Sequence, residues 1–332
     1  METKPVFKVI SPGLLTAVQD LGRFGQARYG VAPSGVLDAF AARVGNLLVD
    51  NLESEACLEV TLSGLELGVL ADLVIAVTGA DLGLHINDRP ARIWRSVRLV
   101  PGDLISFRAV EFGCRAYLTV GGGIEVPVVL NSRSTNLGSG FGGFTGRALQ
   151  AGDIVHGRDP ELHLAAAGRH FDLNAVPAYA NDWRLRVLLG PQEGQFRQTG
   201  LQTLQQAVYS VSPRSDRTGI RLEGPVIRTR ADQPESIVSE GVVAGAIQVP
   251  GDGKPIIILN ETVSGGYRKI ATVITADVPL LAQMVPGDRV VFQAVTLWEA
   301  REALWRVEEN IARLRNRLGS DTCRGSRTKP VE

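Results

Sequence analysis

The sequence predicts a mainly β protein, and three observations predict it. Short apolar runs are broken again and again by Gly, Pro, Asp or Asn, the punctuation of strands and turns. Glycine supplies 37 of the 332 residues, well above the usual ~7%, which suits a fold rich in turns and bulges. Helical periodicity is confined to a few segments.

In chain order, residues 36–49 carry Leu37, Phe40, Val44, Leu47 and Leu48 at helical spacing, so a helix is expected there. Residues 73–77 read as a strand. Residues 82–93 read as a hairpin turning at Asn87-Asp88, a pair that tolerates positive φ. Further strands are expected at 105–107, 116–120, 184–189, 256–259 and 289–292, with a short helix at 277–284. In the last part, Leu297, Leu304, Ile311 and Leu318 recur every seven residues, with Ala300, Val307 and Leu314 between them. That is a helix with one apolar seam. Barely three heptads are short for an independent coiled coil, so the seam is expected to dock on the protein's own body.

Pro101-Gly102-Asp103 before one strand recurs as Pro286-Gly287-Asp288 before another, and Cys57-Leu58-Glu59 is echoed by Arg221-Leu222-Glu223. Two related half-chains would produce such echoes; so would a good turn used twice. The polar, Pro-interrupted stretch 174–182 marks a boundary. The expected organisation is an N-terminal domain 1–176, a C-terminal domain 177–296, a helix 297–318 and a disordered basic tail 319–332.

Formal net charge is zero, with 35 basic and 35 acidic residues, so nothing in the balance asks for nucleic acid or a membrane surface. Cys57, Cys114 and Cys323 are scattered, which argues against a disulfide framework or zinc site and fits a reducing cytoplasm. The start of the chain lacks the apolar run of a signal peptide. No P-loop, Rossmann glycine pattern, nucleophile elbow or H-E-x-x-H occurs, so no ATP site, metal site or self-contained triad is expected within the chain.

Three glycine-bearing polar loops remain, and ligand contacts concentrate in loops. The first holds Gln19, Asp20, Arg23, Ser34 and Asp38. Ser34 or Asp38 can simply cap the helix; equally, a helix N-terminus beside Arg23 can hold a carboxylate or phosphate. The second holds Ser132, Arg133, Ser134 and Thr135 before a glycine loop, suited to a carboxylate or amide, or to local backbone bonding. The third holds Ser215, Asp216, Arg217 and Arg221, an ion-pair network or a cleft lining. Glu240 and Gln248 sit in a glycine-rich apolar stretch, where polar groups need partners, and Lys269 follows a Gly-Gly turn.

These segments carry a resemblance. Q-D-L-G-R at 19–23, S-G-V-L-D at 34–38, S-R-S-T at 132–135, S-D-R-T-G at 215–219, R-L-E-G at 221–224, I-V-S-E-G-V-V-A-G-A-I-Q-V-P at 237–250 and G-G-Y-R-K-I-A-T-V-I at 265–274 are similar to one family. It is described variously as KipA, the C-type subunit of 5-oxoprolinase, allophanate hydrolase subunit 2 and biotin-dependent carboxyltransferase. The likeness runs from about residue 6 to 295. It implies two tandem cyclophilin-like β-barrel domains. It also implies a complex with a KipI-like subunit and a lactam-utilisation-type subunit that couples ATP hydrolysis to opening 5-oxoproline into glutamate, with ATP bound with or by the partners. Arg133, Arg217 or Lys269 would then stabilise developing negative charge, and Glu240 or Asp216 would serve as general base. Gln19, Asp20, Arg23, Ser34, Asp38, Ser132, Ser134, Thr135, Ser215, Arg221 and Gln248 would bind substrate.

The chain departs from the family pattern at Asn260-Glu261, where Asp-Arg is usual, and at Thr218, Ile220 and Ala32. Charge reversal beside a cleft points to a different substrate or to a loss of 5-oxoproline activity. Two other readings stay open. One is a carboxyltransferase accepting a carboxyl group from biotin on another chain, acting on a small amide or acid. The other is a non-enzymatic partner of a KipI-like kinase inhibitor.

Overall fold

The computed structural model describes residues 2–325, with side chains described to residue 319. The chain is mainly β, with helices α1 (Ala39–Leu48), α2 (Gln198–Gln206), α3 (Val278–Leu281) and α4 (Leu297–Gly325) and several 3-10 turns. The strands expected from the apolar runs are present. The hairpin is too: Leu84–Ile86 pairs with Arg89–Pro90, and Asn87 and Asp88 take φ of 50° and 63° at its turn.

In the first half the strands divide between two sheets enclosing one core. One sheet runs Ile124–Glu125, Ile154–Arg158, Thr3–Pro12, Leu65–Val69, Leu104–Phe107, Leu84–Ile86, Arg89–Pro90; the other runs Leu15–Gln19, Cys57–Thr61, Phe112–Val120, Leu73–Asp81, Arg95–Leu99. The unbroken apolar run at the start of Leu73–Asp81 follows from its position. Leu73, Ile75 and Val77 face the core between the sheets, while Val74 and Ala76 face α1 and α4. A strand covered on both sides has no reason to alternate.

The second half is a closed seven-stranded barrel: Asp182–Leu189, Arg268–Val273, Ala246–Val249, Ile256–Ile258, Gly219–Glu223, Tyr209–Val211, Arg289–Ala294. It closes through a parallel pairing of its first and last strands, with Trp183 opposite Val290 and Leu185 opposite Phe292. Trp183, Leu185, Val187, Ile247, Ile257 and Phe292 fill it, joined by Leu37 from the first half.

Helix α1 packs on the back of the five-stranded sheet, close enough that a Cβ on Gly45 would lie 2.9 Å from Thr78 Oγ1. From Ala300 onward the α4 seam docks on the protein's own body, as its spacing predicts, whereas Leu297 at its start is 55% exposed. Ile311, Leu314 and Leu318 join α1, Trp94 and Phe171, and Ala300 and Ala303 pack near Ile274. Arg43 of α1 clasps Glu308 of α4 at 2.6 and 2.8 Å. The helix continues to Gly325, past the expected end at 318, and the remainder of the expected basic tail, 326–332, lies outside the described residues.

The two Pro-Gly-Asp segments form the same turn. Asp103 accepts from Val100 N–H at 2.8 Å and Asp288 from Val285 N–H at 3.0 Å. The glycines before them take φ of 96° and 95°. Ala151-Gly152-Asp153 repeats the device without proline, with Gln150 N–H donating to Asp153 at 2.7 Å and Gly152 at φ 91°. Of the three aspartates only Asp288 is enclosed, and it also accepts from Trp183 Nε1 at 2.7 Å. Asp288→Ala strands a buried indole N–H and should cost about 2–3 kcal/mol in urea unfolding. Asp103→Ala, at a wetter turn, should cost about 1 kcal/mol.

Candidate functional site

Residues 19–38 thread between the halves, and the first two polar loops are one structure. Gln19, ending its strand, donates Nε2 to Thr135 O at 3.1 Å and accepts from Gly35 N–H at 3.1 Å. Asp20 accepts from Ser132 Oγ at 2.7 Å, from Ser134 Oγ, from Arg133 N–H at 2.5 Å and from Gly22 N–H at 2.8 Å. Thr135 Oγ1 donates to Val18 O at 2.9 Å. Gly35, at φ 84°, lies against Gly22 so closely that a Cβ would sit 2.8 Å from its Cα. Ser34 before it is held at φ 53°, a conformation that costs energy in a non-glycine residue.

Arg23 is 1% exposed. Its Nη2 donates to Ser134 O, its guanidinium lies 4.8 Å from the Phe141 ring centroid, and its Nε and Nη1 have no partner. Burial pushes its pKa down, against the pull of Asp20 and Glu261. Arg23 borders a cleft of about 510 Å³. Leu37 and Val36 line one wall, Val242, Leu259, Val278 and Pro279 the other, and Asn260, Thr262 and Thr275 supply polar groups.

Behind the cleft, Arg217 joins the halves. Its Nη1 donates to Glu59 on strand Cys57–Thr61, its Nε to Glu261 at 3.2 Å and its Nη2 to Gly35 O at 2.6 Å. All three side chains are less than a tenth exposed. Burial alone would push the Arg217 guanidinium down, but the two carboxylates hold it above its ordinary value. Burial pushes the Glu261 carboxyl up, with Arg217 opposing. Glu59 also accepts from Tyr117 Oη and Leu37 N–H, both at 3.0 Å, and lies 3.7 Å from Arg115 Nε. Ser34 Oγ donates to Glu261 at 3.5 Å, and Ser34 N–H to Asn260 O at 3.0 Å.

Asp38, not Ser34, caps α1, accepting from Ala41 N–H at 2.8 Å. Its second oxygen accepts from Tyr179 Oη at 2.8 Å and from Gln283 Nε2 at 3.0 Å. The α1 N-terminus is therefore filled by its own carboxylate rather than open to an anion. Burial pushes the Asp38 carboxyl up to about 6, against those three hydrogen bonds.

A second polar group gathers around Lys269, which is buried, while its partner Glu240 is exposed. Lys269 donates Nζ to Glu240, Gln192 donates to the same oxygen at 2.6 Å, and Gln248, beside Lys269 in register, donates to Tyr267 O at 3.4 Å. The Lys269 partner holds the Glu240 carboxyl below its ordinary value.

Other singled-out residues stand apart from the cleft lining. Arg133 turns to Glu125 at 3.3 Å. Asp216 accepts from Thr218 and Gly219 N–H groups at 2.7 and 3.1 Å, a closed local turn. Ser215 Oγ accepts from Arg221 N–H at 3.0 Å, and the Arg221 side chain is exposed.

Glu59, Tyr117, Tyr179, Glu261 and Gln283 were not singled out as site residues by sequence reasoning. Glu59 had a legible signal, an acid within the apolar strand sequence Cys57-Leu58-Glu59-Val60, because a buried charge requires a partner.

Arg217→Met should cost about 3–5 kcal/mol by leaving the buried Glu261 carboxylate without a paired cation and Glu59 with only Arg115 at 3.7 Å, with much of the loss recovered in Arg217→Met/Glu261→Gln/Glu59→Gln; urea unfolding of the three proteins measures it. For Asp38 the folded carboxyl holds its proton to higher pH than the unfolded one. Its contribution therefore favours the fold at low pH and is lost as pH rises from about 4 to about 6, by up to about 3 kcal/mol. Relative to Asp38→Asn, the wild type should lose urea stability through that window and lose no more above about pH 7.

Residues 29–294 match the family model for the carboxyltransferase domain, subdomain A and B. The C-type subunit of 5-oxoprolinase from Escherichia coli (strain K12) is 34% identical over 302 residues, covering 90% of this chain and 94% of that protein. The same-named protein of Haemophilus influenzae is 34% identical over 287 residues, 85% of this chain and 89% of that protein. The crystal structure of the Kluyveromyces lactis urea carboxylase superposes with a TM-score of 0.88 at 32% identity, covering 95% of this chain and 30% of that one. The urea amidolyase of that yeast superposes equally well, and this chain spans about a fifth of its length. With the family model spanning most of the chain and two relatives above 30% identity across nearly their whole length, this chain belongs to the carboxyltransferase domain (subdomain A and B) family.

Proposed function

We propose that this chain is the C-type component of an ATP-dependent, 5-oxoprolinase-type complex that opens 5-oxoproline, or a related small lactam or amide, to glutamate. The observation that carries the reading is the cleft beside Arg23. Its volume falls in the range of small-molecule sites, its walls are largely apolar, and Arg23 is the charged residue that lines it. A small ring bearing one carboxylate matches that combination. In this reading Arg23 holds the carboxylate, Asn260 and Thr262 hydrogen-bond the amide, and the Glu59–Arg217–Glu261 set fixes Asn260 by fixing the loop that carries it. Glu240, exposed and held by the buried Lys269 outside the lining, faces a partner protein, and Arg133 and Asp216 hold loops.

ATP does not fit the cleft. A lining with a single cation and no carboxylate for a magnesium ion does not match a triphosphate, so ATP is assigned to the partner proteins. The partners would be a KipI-like subunit and a lactam-utilisation-type subunit, working together in the cytoplasm. The likeness to urea carboxylase favours a second reading, a carboxyltransferase receiving its carboxyl group from biotin on another chain.

Co-expression with both partners separates the readings. ATP hydrolysis should rise on adding 5-oxoproline, with glutamate formed in step. Arg23→Met should raise the KM for 5-oxoproline about ten- to a hundredfold, the loss of a charged hydrogen bond of about 1.5–3 kcal/mol. A stable complex that shows no stimulation excludes 5-oxoproline and shifts the weight to the biotin-dependent reading. An unchanged KM in the variant removes the cleft from the reaction.

A further inference from the structure

The face of α4 opposite its docked seam is apolar and uncovered. Trp298 is 75% exposed and Trp305 63%. With Arg301 and Glu302 they line a groove of about 400 Å³. These positions are spaced i, i+3, i+4, i+7, one stripe on a helix. Ala300 and Ala303, on the other side, hold the helix to the body.

The stripe reads the same from both ends, except for its charges. Trp298 and Trp305 are equidistant from a point midway between Arg301 and Glu302. Laid antiparallel on a second copy about that point, Trp298 meets the other copy's Trp305, and Arg301 meets its Glu302. A two-fold interface must be self-complementary in this way, and opposite charges at mirrored positions meet that requirement where like charges would repel. We propose that the Trp298–Trp305 face of α4 is a homodimer interface, in which two copies pair antiparallel with their bodies on opposite sides of the helix pair. Two tryptophans per copy give an interface at the small end of specific ones, so the association is concentration-dependent and in the micromolar range.

Sedimentation velocity on the full chain, from about 1 to about 200 µM, tests this directly. A reversible monomer–dimer equilibrium is expected. Trp305→Lys should weaken it at least about tenfold, and Arg301→Glu, which sets acids against acids, should weaken it similarly. The swap Arg301→Glu/Glu302→Arg should restore it, because complementarity returns with the signs exchanged. Glu302 also pairs with Arg306 at 2.6 Å within its own helix, so circular dichroism of each variant confirms that α4 is intact. The fluorescence of the chain carries a second readout. Of its four tryptophans, Trp94 and Trp183 are already buried, so a blue shift on concentration reports Trp298 and Trp305 losing water. A chain that stays monomeric throughout overturns the proposal, as does a dimer indifferent to Trp305→Lys. If the wild type alone is monomeric and Trp305→Lys instead loses co-expressed partner proteins, the face belongs to a partner and the proposal also fails.

Discussion

The buried guanidinium of Arg217 is the interaction on which the arrangement of the two halves depends. It donates to Glu59 from the first half, to Glu261 in the second and to the Gly35 carbonyl between them. Charges removed from water must find partners, and removing one partner costs far more than the pair contributes. Sliding one half against the other by a single residue would part the Arg217 guanidinium from Glu59 and the Gly35 carbonyl, leaving Glu59 with only Arg115 as a cation. The contact therefore specifies register more than it adds stability. The hydrogen bonds of Tyr117 and Leu37 to Glu59, and Arg115 nearby, satisfy the remaining acceptor capacity.

The segment from Gln19 to Asp38 converts that rigid contact into a cleft wall. One end is tied by Asp20 to the Ser132–Ser134 loop, and the other by Asp38 to Tyr179 and Gln283. Between them the backbone pinches where Gly35 meets Gly22. Most polar side chains here are engaged with protein. Arg23 differs in retaining two buried nitrogens without a partner, an expense that a fold built for stability alone would not carry.

Legibility in the sequence followed the range of the interactions. Helix α4 and its docking were readable because seven-residue spacing is local. So were α1 and the hairpin at Asn87-Asp88. The Pro-Gly-Asp echo was readable as a motif, and a third copy of the same turn within the first half shows that the turn chemistry also recurs inside one half. The reversal of charge at Asn260-Glu261 stood out as a departure. Its compensation by Arg217, 44 residues before Glu261 in the chain, could not be seen without the fold. Asp216 and Arg133 looked chemically able, yet one closes its own turn and the other faces Glu125.

Composition and spacing by themselves determined that this is a mainly β chain with one long amphipathic helix at its end, because periodicity and turn residues act over a few positions. They also marked the loops that carry Gln19, Asp20, Arg23, Ser132 and Arg217. Tertiary structure alone decided that the 19–38 and 132–135 loops interlock, that Asp38 rather than Ser34 caps α1, and that Arg217 lies between Glu59 and Glu261. Those outcomes rest on contacts between residues as many as 245 positions apart. A charged side chain in sequence states that it needs a partner, and only the packed chain states which one.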